Sequence, residues 1–368
     1  MTKARILVTG ASGKTASLIA LELVKAGYPV RAWVHRKDDR SARLAARGAE
    51  LAVTDLSDVE RVVQALKDLQ RAYICPPFDP YMVRGAAAFA VAARKFRLEH
   101  IVGLTEWLSS PSHPALMTPQ HWLADRLFAM LPGVSHTIVR PGFCADDSLI
   151  LTGVAAQLGT LQWIFGDSRN APPSNEDIAG VAVAALKDRA RHAGKRYRPI
   201  GPELLGAEEL VRAIGRAIRR KVRVVSTPTW LFLKSARMSG LPTDVLIGFH
   251  HYIDDHKRDA FERGAPTAAA LDATNLPAED FETIARRYAA PPRNQRTLRN
   301  RLRELAQFIA APFSPGFNLD CYQREFRCPF PSAPRLAPES EVWDREHFAA
   351  ETSRGTRTTE LQEQLVAT

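Results

Sequence analysis

Three small residues near the start of the chain have the spacing of a phosphate-binding turn. Gly10, Gly13 and Ala16 follow the apolar run Ile6–Val8 and open a helical pattern that ends at Gly27. Such a turn points backbone N–H groups and the positive end of a helix at a pyrophosphate. A side chain at either glycine would hold the phosphates away from the backbone. The spacing therefore predicts dinucleotide binding.

The same turn resembles the end of a Walker A loop, because Gly13 is followed by Lys14 and Thr15. A Walker A loop needs another glycine five residues earlier, and Val8 occupies that position inside the strand. An ATPase is therefore disfavoured. The cofactor contacts that we expect from the turn are Gly10, Ser12, Gly13, Lys14 and Thr15.

Further cofactor contacts are expected at the carboxyl ends of the next strands. Arg36 stands where NAD-preferring sites usually carry an acid, and an arginine there favours a 2′-phosphate, so we predict NADPH, with NADH as an alternative. Asp55, beside Leu56, is placed to accept from the adenine amino group. The stiff loop Cys75-Pro76-Pro77 lacks amide donors at both prolines and could pass over the cofactor. Cys75 is read as a packed strand end, because no histidine adjoins it.

A histidine and a carboxylate offer proton chemistry further along the chain. His121 and Asp125 lie four residues apart in a helical pattern, so they share a face on which the carboxylate could orient the imidazole. The alternative is that His121 only caps or solvates the helix start. The histidine-rich run from His250 to His256 is expected to be a solvated helix face, and we predict no metal site.

The elements that must position these residues alternate along the first part of the chain. Apolar runs predict six strands, and helical patterns fill intervals long enough for parallel crossovers. The predicted fold class is therefore α/β, a Rossmann-type doubly wound parallel sheet with a smaller, mostly helical C-terminal lobe and an extension. The predicted strands are Ile6–Val8, Val30–Val34, Ala49–Thr54, Ala72–Cys75, His100–Leu104 and Thr137–Arg140.

The composition of the chain limits the compartment and the binding partners that we expect for it. The chain has 368 residues, a formal net charge of +10 and four scattered cysteines, which suggests a reduced, cytoplasmic protein with a large core. No apolar run is long enough to span a bilayer, so no membrane partner is expected. The late arginines lie on ordinary helix faces without an aromatic-basic RNA motif, and nucleic acid is therefore an unlikely partner.

By its motifs the chain resembles the NmrA-like family of the atypical short-chain dehydrogenase/reductase superfamily. The similar segments are the Gly10 to Ala16 turn, Arg36, Thr54–Asp58, Ile138–Phe143, Asn175–Ala179 and Phe261–Thr267. The resemblance implies NAD(P)H-dependent reduction of quinones, dyes or azo compounds. The family also includes redox sensors that bind the dinucleotide without turnover, so a regulator acting through a protein partner is the alternative.

The resemblance also assigns roles. No tyrosine is followed four residues later by lysine, so the usual catalytic pair of short-chain dehydrogenases is missing. Thr105 stands where that superfamily often has serine, and the reductase branch shows a His-x-x-x-Glu pattern similar to His121 and Asp125. We predict that His121 lies near the nicotinamide or supplies a proton. The predicted aromatic wall for a flat, quinone-like acceptor is Phe78, Trp107, Trp122 and Phe143, although core packing is the commoner role of such residues.

Three regions are predicted. Residues 1–145 form the dinucleotide-binding domain, and residues 146–290 a substrate lobe that interleaves with the sheet. Residues 291–368 form a Pro- and Arg-rich extension with a helix at Thr297–Ala310 and buried anchors at Trp343 and Phe348. The resemblance implies that the second lobe closes over the nicotinamide and sets substrate choice. A homodimer is an allowed assembly.

Overall fold

The computed structural model describes residues 3–56, 58–150, 152–289, 294–316, 318, 321 and 333–348. Its strands are β1 (Ile6–Val8), β2 (Val30–Val34), β3 (Glu50–Val53), β4 (Arg71–Ile74), β5 (His100–Leu104), β6 (Ser135–Val139), β7 (Thr160–Trp163), β8 (Arg196–Tyr197) and β9 (Arg223–Ser226). Its helices are α1 (Lys14–Lys25), α2 (Asp39–Ala46), α3 (Val59–Ala65), α4 (Met82–Lys95), α5 (Met117–Ala129), α6 (Ala145–Leu149), α7 (Thr152–Leu158), α8 (Asn175–Lys187), α9 (Arg189–His192), α10 (Ala207–Ala217), α11 (Thr229–Met238), α12 (Thr243–Lys257), α13 (Ala269–Thr274), α14 (Phe281–Ala289) and α15 (Leu298–Ala310).

Seven parallel strands form the central sheet in the order β3-β2-β1-β4-β5-β6-β8. The strand order reverses between β1 and β4, and such a switch point opens a crevice at the carboxyl ends of the strands. The predicted Rossmann-type α/β fold is confirmed. The seventh strand, β8, comes from the predicted substrate lobe and pairs with β6.

Apolar faces on both sides of the sheet account for its burial. All three residues of β1 have no exposed surface, as expected for a central parallel strand. The apolar side chains of α1 and α8 pack on one face, and those of α3, α4 and α5 pack on the other. Alanines are frequent on α4, which lets that helix approach the sheet closely.

The second lobe has a core of its own, rich in aromatic residues, that draws on α10, α11, α12 and α14. It also contains a two-stranded parallel sheet of β7 and β9, which the sequence reading missed because the two strands lie about sixty residues apart and are only four residues long each. The structure brings both strands together beside α7 and α10.

The described part of the extension packs on the second lobe. The predicted helix is confirmed as α15, and residues 341–348 are helical. Trp343 is fully buried and Phe348 packs against the same core, as predicted. Within the described residues, no helix has the length and apolar character needed to cross a membrane. The three region boundaries stay predictions.

Candidate functional site

The glycine turn after β1 has the geometry of an anion site. Gly10 has a φ of +58°, and the Gly13 N–H donates to the Gly10 carbonyl at 2.7 Å. A Cβ on Gly13 would lie 3.0 Å from that carbonyl oxygen, whereas the space next to Gly10 is open. Within the described residues, no side chain caps α1, so its first N–H groups are left for a ligand. These features fit the pyrophosphate of a dinucleotide.

Two side chains of the turn are held by the region after β6. Lys14 Nζ pairs with the carboxylate of Asp146, and Thr15 Oγ1 donates to Asn175 Oδ1 at 2.7 Å. Burial lowers the pKa of Lys14, but the hydrogen bond and the charge of Asp146 outweigh that effect and raise it. The turn is therefore tied to the segment that leads into the second lobe.

Arginines gather at the carboxyl end of β2. Arg36 is exposed, and its Nε lies 3.9 Å from Asp38 Oδ2. Asp38 accepts from the backbone N–H groups of Arg40 and Ser41, so this acid serves as the cap of α2. The Nη1 of Arg40 donates to the Ser12 carbonyl at 3.3 Å. Arg40 therefore joins Arg36 as a candidate partner for a 2′-phosphate. In the sequence, the capping pattern Asp38–Ser41 could have indicated that Arg40 lies in the first turn of α2, close to the end of β2.

A cavity of about 220 Å³ lies at the carboxyl ends of β3 and β4. Asp55, Leu56 and Pro77 border it, as the prediction of an adenine contact requires. Asp55 Oδ2 also lies 3.7 Å from His35 Nδ1, so its carboxylate is close to the carboxyl end of β2.

Cys75 lies at the end of β4. Its N–H donates to Thr9 Oγ1 at 3.1 Å, and burial raises the pKa of its thiol to about 11. A thiolate nucleophile is therefore disfavoured at this position. Pro76 is buried behind it, and the loop leaves the sheet without amide donors at either proline.

A second cavity, of about 300 Å³, lies beyond the ends of β5 and β6. Four predicted residues border it: Phe78, Thr105, Trp107 and Phe143. Phe249, Tyr252 and Phe261, from α12 and the turn after it, complete an aromatic wall that the sequence reading did not find. An apolar pocket of this size accommodates a flat ring system.

Trp122 does not belong to that wall, and this prediction is wrong. Its Nε1 donates to Glu346 Oε1 at 3.1 Å, and the Arg126 guanidinium lies 5.0 Å from its ring centroid. Trp122 and His121 are successive residues of α5, so they point about 100° apart around the helix. Trp122 therefore contacts the C-terminal segment.

His121 lies inside α5, which begins at Met117, so it does not cap the helix. It is 5% exposed, its ring centroid is 6.2 Å from that of Phe78, and its Nδ1 has no hydrogen-bond partner among the described residues. It contacts one wall residue of the 300 Å³ cavity without bordering that cavity itself. Its role as a proton source stays a prediction.

Asp125 does not orient His121, and the predicted pairing is wrong. Its Oδ2 accepts from Arg140 Nη2 at 2.6 Å and from Thr105 Oγ1 at 3.2 Å. Asp125 and Arg140 are 1% and 4% exposed, so they form a buried ion pair. The Arg140 guanidinium, which directly follows β6, is therefore the partner of this carboxylate.

A tyrosine and a glutamate meet in the aromatic cavity. The Tyr252 hydroxyl donates to Glu106 Oε2 and lies 3.3 Å from Thr118 Oγ1. Burial, and then the charge of Glu106, raises the pKa of Tyr252 well above its usual value. Glu106 follows β5 and Tyr252 lies on α12, so only the tertiary fold brings them together.

Asp147 offers a proton at the same cavity. Burial, and then the charge of Asp146, raises the pKa of Asp147 to about 7. Its carboxyl borders the cavity on one side, while Asp146 reaches Lys14 at the glycine turn on the other. Cys144, Asp146 and Asp147 also place their ligand atoms within 4.8 Å of one another, but Lys14 already neutralises Asp146.

The run from His250 to His256 is not a solvated face, and that prediction is wrong. Asp255 and His113 have no exposed surface, and their Oδ2 and Nε2 atoms are 2.7 Å apart. His256 is 2% exposed, and its ring stacks on Phe261 with centroids 4.2 Å apart. Asp255 and His256 of α12 therefore face the lobe interior, whereas Asp254 is exposed.

Trp107, a wall residue of the 300 Å³ cavity, is held in place by Trp343 of the extension and by residues of the second lobe. Trp343 Nε1 donates to the Trp107 carbonyl at 2.9 Å, and the Arg198 guanidinium lies 3.6 Å from the Trp107 ring centroid. Trp107 Nε1 in turn donates to the Ala260 carbonyl at 2.7 Å. Two of these contacts hold the ring and one holds the backbone of Trp107, which fixes the position of this wall residue.

Comparison with known proteins agrees with this architecture. Residues 2–102 match the NmrA-like family model. The NAD(P)H azoreductase of Xenophilus azovorans is 28% identical over 294 residues, covering 77% of this chain and 98% of that protein. The NADPH-dependent quinone oxidoreductase of Escherichia coli, solved with NADPH, shares the fold at a TM-score of 0.66 and 18% identity, covering 76% of this chain and 98% of its own.

A protein described as a transcriptional regulator has the same fold. NmrA, a negative transcriptional regulator solved with NADP, superposes at a TM-score of 0.63 and 18% identity, over 78% of this chain and 95% of its own. The NmrA-like family model therefore matches the part of the chain that holds the glycine turn, where the motifs predicted the resemblance, and the solved structures share the fold.

Proposed function

We propose that this protein transfers hydride from NADPH to a flat, electron-poor aromatic acceptor such as a quinone. The broader class, an NAD(P)H-dependent oxidoreductase, is the one to which its named relatives belong. NADH remains an alternative donor.

The observation that carries the proposal is the aromatic cavity of about 300 Å³ and its link to the glycine turn. Asp147 borders the cavity, and its neighbour Asp146 pairs with Lys14 at the start of α1. A cofactor bound along the turn would therefore extend toward the same cavity. Aromatic walls hold a flat acceptor by its faces, and positioning is most of what hydride transfer requires of a protein.

The chemistry needs one further group. A bound reduced nicotinamide supplies hydride, that is, two electrons and one proton, and the quinone then requires a second proton to become a hydroquinone. We propose that the carboxyl of Asp147 donates that proton, because Asp147 borders the cavity and its pKa, raised to about 7, leaves about half of the carboxyl groups protonated at neutral pH. Tyr252, hydrogen-bonded to Glu106, holds its own proton too tightly for this role.

The test is consumption of NADPH by the purified protein against a panel of quinones and azo dyes, with NADH in parallel. Turnover with quinones, lost on Phe249→Asp but with unchanged NADPH affinity, is the expected result. Tight binding of NADPH with no turnover on any member of the panel would overturn the proposal.

A second function follows from the likeness to NmrA, which is described as a negative transcriptional regulator. A redox-sensing regulator needs to distinguish NADP from NADPH, but it needs no acceptor cavity or proton donor. Calorimetric affinities for the two forms, measured beside the turnover assay, separate these functions. A large difference in affinity without turnover would favour the sensor.

A further inference from the structure

The helix α15 is amphipathic in the reverse sense of an ordinary surface helix. Residues at spacings of three and four face solvent, with exposed fractions of 74%, 56%, 40% and 58% for Leu298, Leu302, Leu305 and Ile309. The face toward the body is polar and half-buried, and it carries Asn300, Glu304 and Gln307. Surface helices of globular proteins normally bury the apolar stripe and expose the polar one.

Neighbouring aromatic residues enlarge this apolar surface. Phe313, in the turn that follows α15, is 84% exposed, and Phe308 is 44% exposed. Trp230 is 55% exposed on α11, which packs against α15. We call the surface the α15 patch, and its members are Trp230, Leu298, Leu302, Leu305, Phe308, Ile309 and Phe313. Contiguous exposed apolar surface of this kind marks a binding site.

Unpaired positive charge surrounds the patch. Arg299 and Arg301 are exposed on α15 on either side of the apolar stripe, and neither forms an ion pair with a described carboxylate. Burial, and then the charges of Arg296 and Arg301, lowers the pKa of nearby Arg220, so these cations act on one another. The whole chain carries a formal net charge of +10.

This charge selects the class of partner. A second copy of the chain would bring the same arginines against these, and like charges oppose such pairing. An anionic surface would be attracted by them. Helices with leucine and aromatic residues on one face and arginine on the flanks bind in the headgroup layer of a membrane, parallel to its plane.

We propose that the α15 patch docks the protein on an anionic lipid surface. The helix would lie in the interface without crossing it, with the leucines and Phe313 in the acyl boundary and Arg299 and Arg301 at the headgroups. The lack of a spanning segment predicts no membrane partner, but a helix that lies in the interface does not need to span the bilayer. The proposal is independent of the reductase reaction.

The experiment is vesicle co-sedimentation with the full-length protein, using phosphatidylcholine with and without phosphatidylglycerol. The test variant is Leu302→Gln with Ile309→Gln. Its matched control is Leu271→Gln with Leu276→Gln, since these leucines are 49% and 66% exposed on another surface. A second variant, Arg299→Ser with Arg301→Ser, tests the charge, and circular dichroism confirms that each protein is folded.

Binding to the anionic vesicles is expected for the wild type and the control, with at least about a tenfold loss for the leucine variant. The arginine variant should lose about twenty-five-fold on anionic vesicles, because each of the two cations near such a surface contributes about a fivefold factor. Equal binding by the wild type and the leucine variant would overturn the proposal. So would an absence of vesicle binding together with a dimer, measured by light scattering, that the leucine variant abolishes.

Discussion

Two regions of this protein are built in different ways. One is the glycine turn with the strand ends beside it, which we call the cofactor edge, and the other is the aromatic cavity of about 300 Å³, which we call the acceptor cavity. The cofactor edge uses backbone that is contiguous in sequence, from Gly10 to the first turn of α1, and adds one or two side chains from each following strand end. The acceptor cavity uses side chains that come together from distant elements, such as Thr105 after β5 and Tyr252 on α12. A local motif can specify the first, whereas only the tertiary fold specifies the second.

The two regions also bind their ligands through different interactions. An anion at the glycine turn is held by N–H groups and by the helix end, which most sequences can supply if glycine occurs at the right positions. A flat acceptor in the cavity is held by the faces of particular rings. We therefore expect substitutions in the two regions to have separable effects, on dinucleotide affinity and on turnover respectively.

The largest effect is expected for Asp147→Asn. An amide cannot donate the proton that the carboxyl supplies, so kcat with a quinone should fall by about a thousandfold, while the dissociation constant for NADPH changes little. The wild type should lose kcat/KM as pH rises above the Asp147 pKa of about 7, because the carboxyl must be protonated to act. That limb of the pH profile should be missing in the variant.

His121→Ala is the comparison that decides between the two proton donors. If turnover falls with His121→Ala and persists with Asp147→Asn, the sequence-based prediction is correct and our assignment to Asp147 is wrong. Measuring both variants at two pH values, with NADPH affinity determined by fluorescence, makes the two outcomes distinct.

A buried ion pair gives the next largest effect. Asp125→Ala would leave the Arg140 guanidinium, which is 4% exposed, with Glu346 Oε2 at 3.9 Å in place of its closer carboxylate partner. The free energy of unfolding should fall by about 3 kcal/mol, the usual cost of removing one partner of a buried ion pair. Urea titration measures it, with Asp39→Ala as an exposed control. An unchanged midpoint for Asp125→Ala would show that this pair is not the structural bond that we describe.

Gly10→Ala tests the cofactor edge alone. Gly10 and Gly133 both have positive φ, +58° and +74°, and a Cβ on either meets nothing within 4 Å. Both alanine variants should therefore lose about 1 kcal/mol of stability through backbone strain. Only Gly10→Ala should weaken NADPH binding, by about thirtyfold or roughly 2 kcal/mol, since its methyl group enters the phosphate site. Equal affinities by calorimetry would place the pyrophosphate elsewhere.

The sequence predicted the first six strands of the central sheet because their signals are local. Ile6–Val8 is apolar along its whole length and Val30–Val34 is apolar except at Arg31, as is typical of buried parallel strands, and glycine spacing marks the turn. It could not identify the partners of Asp125, since the helix pattern offered His121 four residues away. Arg140 lies 15 residues further along the chain and reaches Asp125 only through the pairing of β5 with β6.

The same reasoning explains the misplaced aromatic residue. Trp122 is aromatic, as a wall residue should be, but it lies on a face of α5 that meets Glu346, more than two hundred residues further along the chain. The ring that does face the acceptor side from a distant element is Phe249, and α12 carries no local signal for that role. Sequence patterns indicate which faces are buried, and the fold decides what each face meets.

The smallest expected effect, on coenzyme preference, decides how far the cofactor edge depends on side chains. Arg36 is exposed and contacts Asp38 at 3.9 Å, so Arg36→Ala should cost about 1 kcal/mol of NADPH affinity, or roughly fivefold, and leave NADH binding unchanged. Arg40→Ala should act in the same direction, because its guanidinium already reaches the turn at Ser12. Arg43→Ala, on the outer side of α2, is the control. If neither Arg36→Ala nor Arg40→Ala alters the ratio of NADPH to NADH affinity in direct titrations, then the 2′-phosphate lies in solvent and the edge recognises the dinucleotide by its backbone alone.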